Sequence, residues 1–249
     1  SAASDVYKRQ ATCFNVMKIK NFLKATIHES LLTGILLAIV GGFLDMYTYL
    51  LKGNVFANAQ TGNMVLMGLK IAEQNYLGAL YYLLPISAFF LGIVISEYIK
   101  HRLSNVQYVE WQHLILIIEI IILTIIAFIP KEIPYSVCNV TIGLVCSLQV
   151  NTFRTTNGLP YASTMCTGNL RSAGQKLSAY LFAHDKDALH HCFRYLIIIF
   201  FFIIGAIIAT GLINIFGQCA LLFCCILLLI TLLLSLIHIS EPTRRRGIS

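Results

Sequence analysis

The sequence predicts an all-α, polytopic membrane protein of about six transmembrane helices in two inverted three-helix repeats, each repeat carrying a partial Thr-Gly-Asn helix. Three observations lead there. The chain is 57% hydrophobic and only 12% charged, with a mean hydropathy of +0.77. A soluble domain carries about twice that charged fraction, and apolar surface on this scale cannot all be hidden in one water-facing core. The apolar residues gather into six long runs, and the tripeptide Thr-Gly-Asn occurs once in each half of the chain.

The six runs are 31–51, 76–99, 112–129, 134–153, 195–216 and 218–234. Each has roughly 17–24 residues, the length a helix needs at about 1.5 Å per residue to cross about 30 Å of hydrocarbon. Helices are required because backbone groups in lipid must bond within their own segment. Barrel strands are excluded by the absence of period-two alternation. Two further segments, 55–74 ("VFANAQTGNMVLMGLKIAEQ") and 161–182 ("YASTMCTGNLRSAGQKLSAYLF"), are too polar for lipid-facing spans. Each contains Thr-Gly-Asn followed by a helix-compatible stretch, and each reads as a partial helix.

Orientation follows from Lys and Arg. With six spans and a cytoplasmic N-terminus, ten basic residues face the cytoplasm: Lys18, Lys20, Lys24, Lys100, Arg102, Arg154, Arg171, Lys176, Lys186 and Arg194. Only Lys52, Lys70 and Lys131 are left outside. Making the Thr-Gly-Asn segments full spans would put Lys100 and Arg102 outside, so six spans plus two partial ones is the preferred arrangement.

The ends read differently from the rest. "SAASDVYKRQ" and "SLIHISEPTRRRGIS" resemble translated sequencing-adapter sequence, so residues 1–16 are expected to be a non-native leader and 235–249 a non-native tail. They hold five basic and two acidic residues, which leaves +4 of the chain's +7 for the remainder. Between them, 17–234 reads as a single transmembrane domain, with repeat one at about 31–130 and repeat two at about 134–234. The eight cysteines form no Cys-x-x-Cys pair and lie largely inside apolar stretches, where thiols behave as small hydrophobes. The basic residues sit scattered at helix ends without a patch, which excludes nucleic acid as a partner.

Thr61-Gly62-Asn63 and Thr167-Gly168-Asn169 lie 106 residues apart, and at the same offset Asp45 meets Asn151. In each half the order is span, Thr-Gly-Asn segment, span, span. Three spans per half make the second half enter the membrane from the opposite side, the construction of many secondary transporters. Thr is a competent helix N-cap, Gly permits close approach, and Asn offers both donors and an acceptor. A helix starting there presents unpaired N–H groups and about half a positive charge. Two such starts facing each other would suit a polar or anionic solute. The competing reading is a tight packing crossing of small residues.

Asp45, in "GGFLDMYTYLL", is the sharpest single residue. A carboxylate inside a transmembrane run is costly and marks a pathway, a proton relay or a buried pair, with Thr61 or Lys70 as the candidate partner. Glu119, in "ILIIEIIIL", is a second candidate for proton coupling, without a counterpart in the other half. Gln149 and Asn151, closing the fourth span, are either site residues or polar glue between helices. Glu97 beside Lys100 reads as a solvated interface residue, and "AHDKDALHHCF" as a solvated linker rather than a metal site. No P-loop, dinucleotide fingerprint, zinc-protease motif or nucleophile elbow is present. No nucleophile–base constellation is readable either, so neither catalysis nor a cofactor is expected.

The segment "GGFLDMYTYLLKGNVFANAQTGNMVLMG", with its Gly-Phe-x-Asp and Thr-Gly-Asn, resembles the N-terminal signature of the YoaK family of bacterial membrane proteins, a domain of unknown function. "SLQVNTFRTTNGLPYASTMCTGNLRSAGQKL" is similar to that family's second-half motif, with Gln149-Val150-Asn151 in place of an adjacent Gln-Asn pair. The resemblance covers about 31–234. It implies an inner-membrane protein and brings no substrate or catalytic residue with it. Together these features point to a small transporter or channel-like permease for a polar or anionic solute, with Asp45, Thr61, Gly62, Asn63, Gln149, Asn151, Thr167, Gly168 and Asn169 at its site. A membrane protein that binds a partner is the alternative from another class, and an intramembrane enzyme the third.

The charge asymmetry makes a direct prediction. On a cysteine-depleted background, a cysteine at Ser104 should react with impermeant thiol reagents only after the cells are opened, and one at Lys131 should react in intact cells. Labelling of the Ser104 position from outside would rule out the six-span arrangement.

Overall fold

The computed structural model describes residues 31–103, 111–130, 132–153, 155–156, 159–160 and 166–244. Lys18, Lys20, Lys24, Lys131, Arg154 and the expected leader lie outside the described residues. The elements in order are α1 (Leu31–Leu51), α2 (Gln60–Ala72), α3 (Tyr76–Leu103), α4 (Trp111–Ala127) and α5 (Tyr135–Thr152). A two-residue antiparallel pair follows, Thr155–Thr156 with Leu159–Pro160. Then come α6 (Cys166–Ala183), α7 (Lys186–Phe216), a 3₁₀ turn (Gly217–Leu221) and α8 (Leu222–Arg244). The chain is an all-α polytopic membrane protein. Each of the six apolar runs lies on a helix. The first Thr-Gly-Asn segment forms the short helix α2, of 13 residues, and the second forms α6, which with 18 residues is as long as α5 rather than the partial helix expected.

Three stretches are both long and apolar enough to cross a bilayer: α1, α3 and the continuous run Lys186–Leu236. That last run has 51 residues, about 77 Å if straight, more than twice the hydrocarbon thickness. It is broken at Gly217, whose φ of +58° is open to glycine and costly for other residues. Helix α4 is equally apolar but has 17 residues. Helix α5 carries the more polar sequence "YSVCNVTIGLVCSLQVNT" and is largely buried. It is covered by neighbouring helices rather than by lipid.

One boundary and one contact differ from the sequence reading. The segment expected as a linker, "AHDKDALHHCF", is helical from Lys186. Asp185 accounts for this, because its carboxylate accepts hydrogen bonds from the backbone N–H groups of Asp187 at 3.0 Å and Ala188 at 3.2 Å and so caps α7. Glu97, expected to be solvated, does lie at the surface, but its Oε1 also accepts a hydrogen bond from Asn151 Nδ2 at 2.9 Å.

The packing joins distant helices. The start of α1 (Leu31, Ile35, Ala38) clusters with Cys192, Tyr195 and Ile198 of α7, and its later turns pack in the core that holds Ala209 and Ile213. The two helices therefore run in the same direction. Helices α3 and α5 are likewise parallel: Tyr81 meets Asn139, Gly92 meets Leu144 and Ser147, and Ser96 meets Asn151. Helix α2 lies on α3 and α6 on α7. Helices α4 and α8 are antiparallel, with Thr124 against Cys225 and His113 against Ser235. Phe43 of α1 stacks on Phe223 of α8.

Glycines make the parallel pairings close. A Cβ at Gly42 would overlap the Phe202 carbonyl, one at Gly205 the Ile39 carbonyl, and one at Gly92 the Ser147 hydroxyl. In lipid no hydrophobic force drives helices together, so close approach of small residues supplies the contact energy. Outward, Leu77, Phe90, Val94, Ile121, Ile125, Phe200, Ile207 and Ile226 stand exposed. In water such a belt would aggregate; in a bilayer it is the solvated surface.

This packing predicts that Gly205→Ala lowers thermal stability in detergent by about 1–3 kcal/mol, because it is the backbone of α1 that must move. The control is Gly68→Ala in α2, where nothing lies within 4 Å of the added carbon, and it should melt like the parent. Equal melting of both variants would contradict the close pairing of α1 with α7.

Candidate functional site

The stretch 53–59 leaves the end of α1 and returns along it until Asn58 and Ala59 reach Asp45, roughly two-thirds of the way along α1. There Asp45 Oδ1 accepts hydrogen bonds from the Asn58 N–H at 2.6 Å and the Ala59 N–H at 3.4 Å. Helix α2 starts at the next residue. A carboxylate thus meets the N-terminus of a helix where the backbone donors and the helix dipole favour it. Asn58 adds a second tie, donating from Nδ2 to the Gly41 carbonyl at 3.2 Å.

Sequence reasoning assigned the capping role to Thr61, and the structure corrects it. Thr61 is the second residue of α2 and is exposed; the N-cap position is Ala59, which has no side-chain cap, and Asp45 instead holds the Asn58 and Ala59 N–H groups that lead into the helix. The partners expected for Asp45 are corrected too. Lys70 pairs with Glu73 at 2.7 Å, Lys52 Nζ lies over the Tyr135 ring, and Thr61 makes no bond to Asp45. The carboxylate is held by backbone N–H groups instead of by a cation.

Asn63 closes the same loop. Its Oδ1 accepts from the Phe56 N–H at 2.9 Å, and its Nδ2 donates to the Phe56 carbonyl at 2.7 Å and to Gln60 Oε1 at 2.9 Å. It is fully buried and spent on the backbone. Gly62 has the Phe56 ring against it, 2.9 Å from where a Cβ would stand, so Gly here serves a close approach.

The second motif has the same register in its helix. Thr167 is the second residue of α6, as Thr61 is of α2. Asn169 is buried like Asn63, whereas Thr167 and Gly168 are exposed. Among the described residues nothing lies within 4 Å of a Cβ placed on Gly168.

Both helix starts border one cavity of about 550 Å³. Its lining includes Asp45, Asn58, Gln60, Thr61, Cys166, Thr167 and Gly168, with Gly42, Met46, Tyr49, Phe56, Ala59, Phe202 and Ala206 as the mostly apolar remainder. Phe202 and Ala206 sit near the middle of α7, so the cavity lies at mid-depth between α1 and α7. The structure therefore brings Asp45, Thr61, Thr167 and Gly168 together. Gly62, Asn63, Gln149, Asn151 and Asn169 do not line this space.

Those residues have other surroundings. Asn151 Nδ2 donates to Ser96 Oγ at 3.0 Å as well as to Glu97, which ties α5 to α3. Gln149 and Glu119 are wholly buried, and among the described residues neither amide atom of the first nor oxygen of the second has a hydrogen-bond partner. Both Glu119 and Asp45 lie within electrostatic reach of the buried Cys146.

One polar cluster escaped sequence reasoning. The Lys52 carbonyl accepts from Tyr81 Oη at 2.6 Å and from Asn139 Nδ2 at 2.8 Å, and Asn139 also donates to Tyr81 Oη at 2.9 Å. It ties the end of α1 to α3 and α5. Gly53, at φ +82° and pressed against the Tyr81 hydroxyl, was the available signal.

Comparison with known proteins adds the family. No solved structure matches the chain. It is similar to the UPF0700 transmembrane protein YoaK of Bacillus subtilis (strain 168), at 26% identity over 180 residues, which cover 70% of this chain and 80% of that protein. A protein-family profile described as "Protein of unknown function (DUF1275)" matches residues 33–234. The chain, an integral membrane protein with a buried carboxylate and two helix starts at one cavity, therefore belongs to the DUF1275 family.

Proposed function

We propose that the protein is a small permease, not an enzyme, and that it moves a polar solute through the cavity between α1 and α7. One observation carries the reading. Two Thr-Gly-Asn helices, one from each half of the chain, begin at the same mid-depth cavity beside a nine-tenths buried carboxylate. Helix starts that meet inside a membrane are a recurrent way to bind a polar solute where lipid offers none.

The packing supports an inverted repeat beneath this site. Matching α1 to α5, α2 to α6, α3 to α7 and α4 to α8 carries the principal contacts into one another: α1 on α7 becomes α5 on α3, α2 on α3 becomes α6 on α7, and α4 on α5 becomes α8 on α1. The α4–α8 contact maps onto itself. The glycine crossings follow, since Gly205 of α7 faces a carbonyl of α1 and Gly92 of α3 faces a carbonyl of α5. Three spans per half then invert the second half. Alternating access arises when one such unit rocks against the other around the shared site.

The competing reading, a membrane protein that binds a partner and uses its polar residues only as glue, draws on Asn63 and Asn151, which are occupied inside the fold. It gives no role to the cavity.

Asp45→Asn separates the two. The amide oxygen still accepts from Asn58 and Ala59 while the charge is gone, so the variant should express and melt like the parent. Uptake of polar solutes by proteoliposomes containing it should fall by about tenfold or more. A parent that moves no solute across a broad panel, or an Asn variant whose uptake is unchanged, would remove the transport role.

A further inference from the structure

Asp45, Asn63, Asn139 and Asn151 each hold two segments together through their hydrogen bonds. Glu119 holds nothing. It is wholly buried on α4, and among the described residues neither of its oxygens has a hydrogen-bond partner. Leu116 and Leu123, one turn to either side, are equally buried. The carboxyl therefore stands on the inward face of α4, at a position where the core otherwise takes leucine.

The titratable groups around it are thiols. Cys146 of α5 and Cys224 and Cys225 of α8 lie within electrostatic reach of Glu119. From α1, Asp45 reaches Cys146 and Tyr47 reaches Cys224, but the Asp45 carboxylate is occupied by the Asn58 and Ala59 backbone. Cys219 of the 3₁₀ turn is directed at the Ala127 carbonyl. Lys100 of α3 lies over the Trp111 ring, and His113 of α4 is paired with Ser235. Among the described residues no cation is paired with Glu119.

Glu119 also sits on the contact between α4 and α8. There Cys225 Sγ donates to the Ile120 carbonyl at 3.8 Å, and the Thr124 hydroxyl donates to Cys225 Sγ at 3.4 Å. A charged carboxylate sealed between leucine and thiol without a partner costs far more than the same group in water, whereas a neutral one gives up only its hydrogen bonds. The contact closes favourably around Glu119 only when that side chain carries a proton.

We propose that the α4–α8 contact is a proton-controlled switch, in which Glu119 holds a proton while the contact is closed and gives it to water when the contact parts. One O–H bond of the carboxyl breaks on opening and re-forms on closing, with water as acceptor and then as donor. The closed state thus binds one proton more than the open one. The closed contact is most stable in acid, and each pH unit above the range of a solvated glutamate shifts the balance toward the open state by up to about tenfold. The switch does not depend on the permease reading, although a contact shared by the two halves is where their relative motion would be felt.

The test uses the full chain, purified and reconstituted, with N-ethylmaleimide as the probe and labelling of Cys224 read by mass spectrometry. Cys224 is wholly buried, so it reacts when α8 parts from its neighbours. Comparison with Glu119→Gln at each pH removes the thiol's own titration. From about pH 5.5 to 7.5, labelling of the parent relative to Glu119→Gln should rise by about tenfold or more. Glu119→Met, apolar and of similar length, should label like Glu119→Gln and melt above the parent, because hydrocarbon replaces an unpartnered carboxyl. Labelling that runs parallel in parent and variants across the pH range, or a parent Cys224 that never reacts, would overturn the switch. Failure of both variants to fold would overturn it too, by making the carboxyl part of the packing.

Discussion

The geometry of the interior depends on one contact, the Asp45 carboxylate against the N–H groups of Asn58 and Ala59. A chain that leaves α1 and turns back into the bundle carries backbone donors to a depth where water cannot serve them. Without a partner each would cost several kcal/mol in that setting. A carboxylate is the strongest acceptor that a side chain offers, and Asp45 stands on α1 at the height where the returning segment needs it. Once that contact is made, α2 can begin inside the protein instead of at its edge, and Asn63 then fixes the loop by holding the Phe56 backbone at both its N–H and its carbonyl. The cost of an acidic residue within a span is offset by a re-entrant helix.

The second constraint is steric. Gly42, Gly92 and Gly205 leave no space for a Cβ where α1 meets α7 and α3 meets α5. These crossings set how near the helix axes come, and hence the width of the cavity that Gly42 and Ala206 border. Away from them the interior is a mix of apolar packing and polar ties such as Lys52–Tyr81–Asn139. Buried Gln149 and Glu119 are among the exceptions, with polar atoms that no neighbour among the described residues satisfies.

Much of the architecture was legible because lipid imposes simple rules. The length of each apolar run forecast a helix, and the two polar segments with Thr-Gly-Asn were recognisable as something other than lipid-facing spans. The motif's internal assignment was not legible. Thr61 has the chemistry of a cap, yet it sits one position inside α2, and the segment before the helix is held by Asp45 on α1, an acceptor that a local rule cannot anticipate. For the same reason Asp45 invited a lysine partner when backbone N–H groups sufficed. The start of α7 was misjudged because His and Asp composition suggested solvated chain, while Asp185 alone is enough to begin a helix there. Asn63 and Asn169 were read as ligand groups from their donor and acceptor chemistry. That same chemistry suits a backbone clamp, and burial decides for Asn63, which is fully spent on the loop.

The pairing of α1 with α7 and of α3 with α5 also bears on how the protein reaches this arrangement in time. The main neighbour of α1 leaves the ribosome well over a hundred residues after it, and α3 likewise waits for α5. The face of α1 that meets α7 cannot be covered by the first half alone, so Gly42 and Ala38 on it belong to a surface that stays uncovered until late in synthesis. Contacts so distant in sequence form slowly. The nascent first half must therefore be sheltered in the membrane, with helices inserted but unassembled, until the second half arrives to complete it.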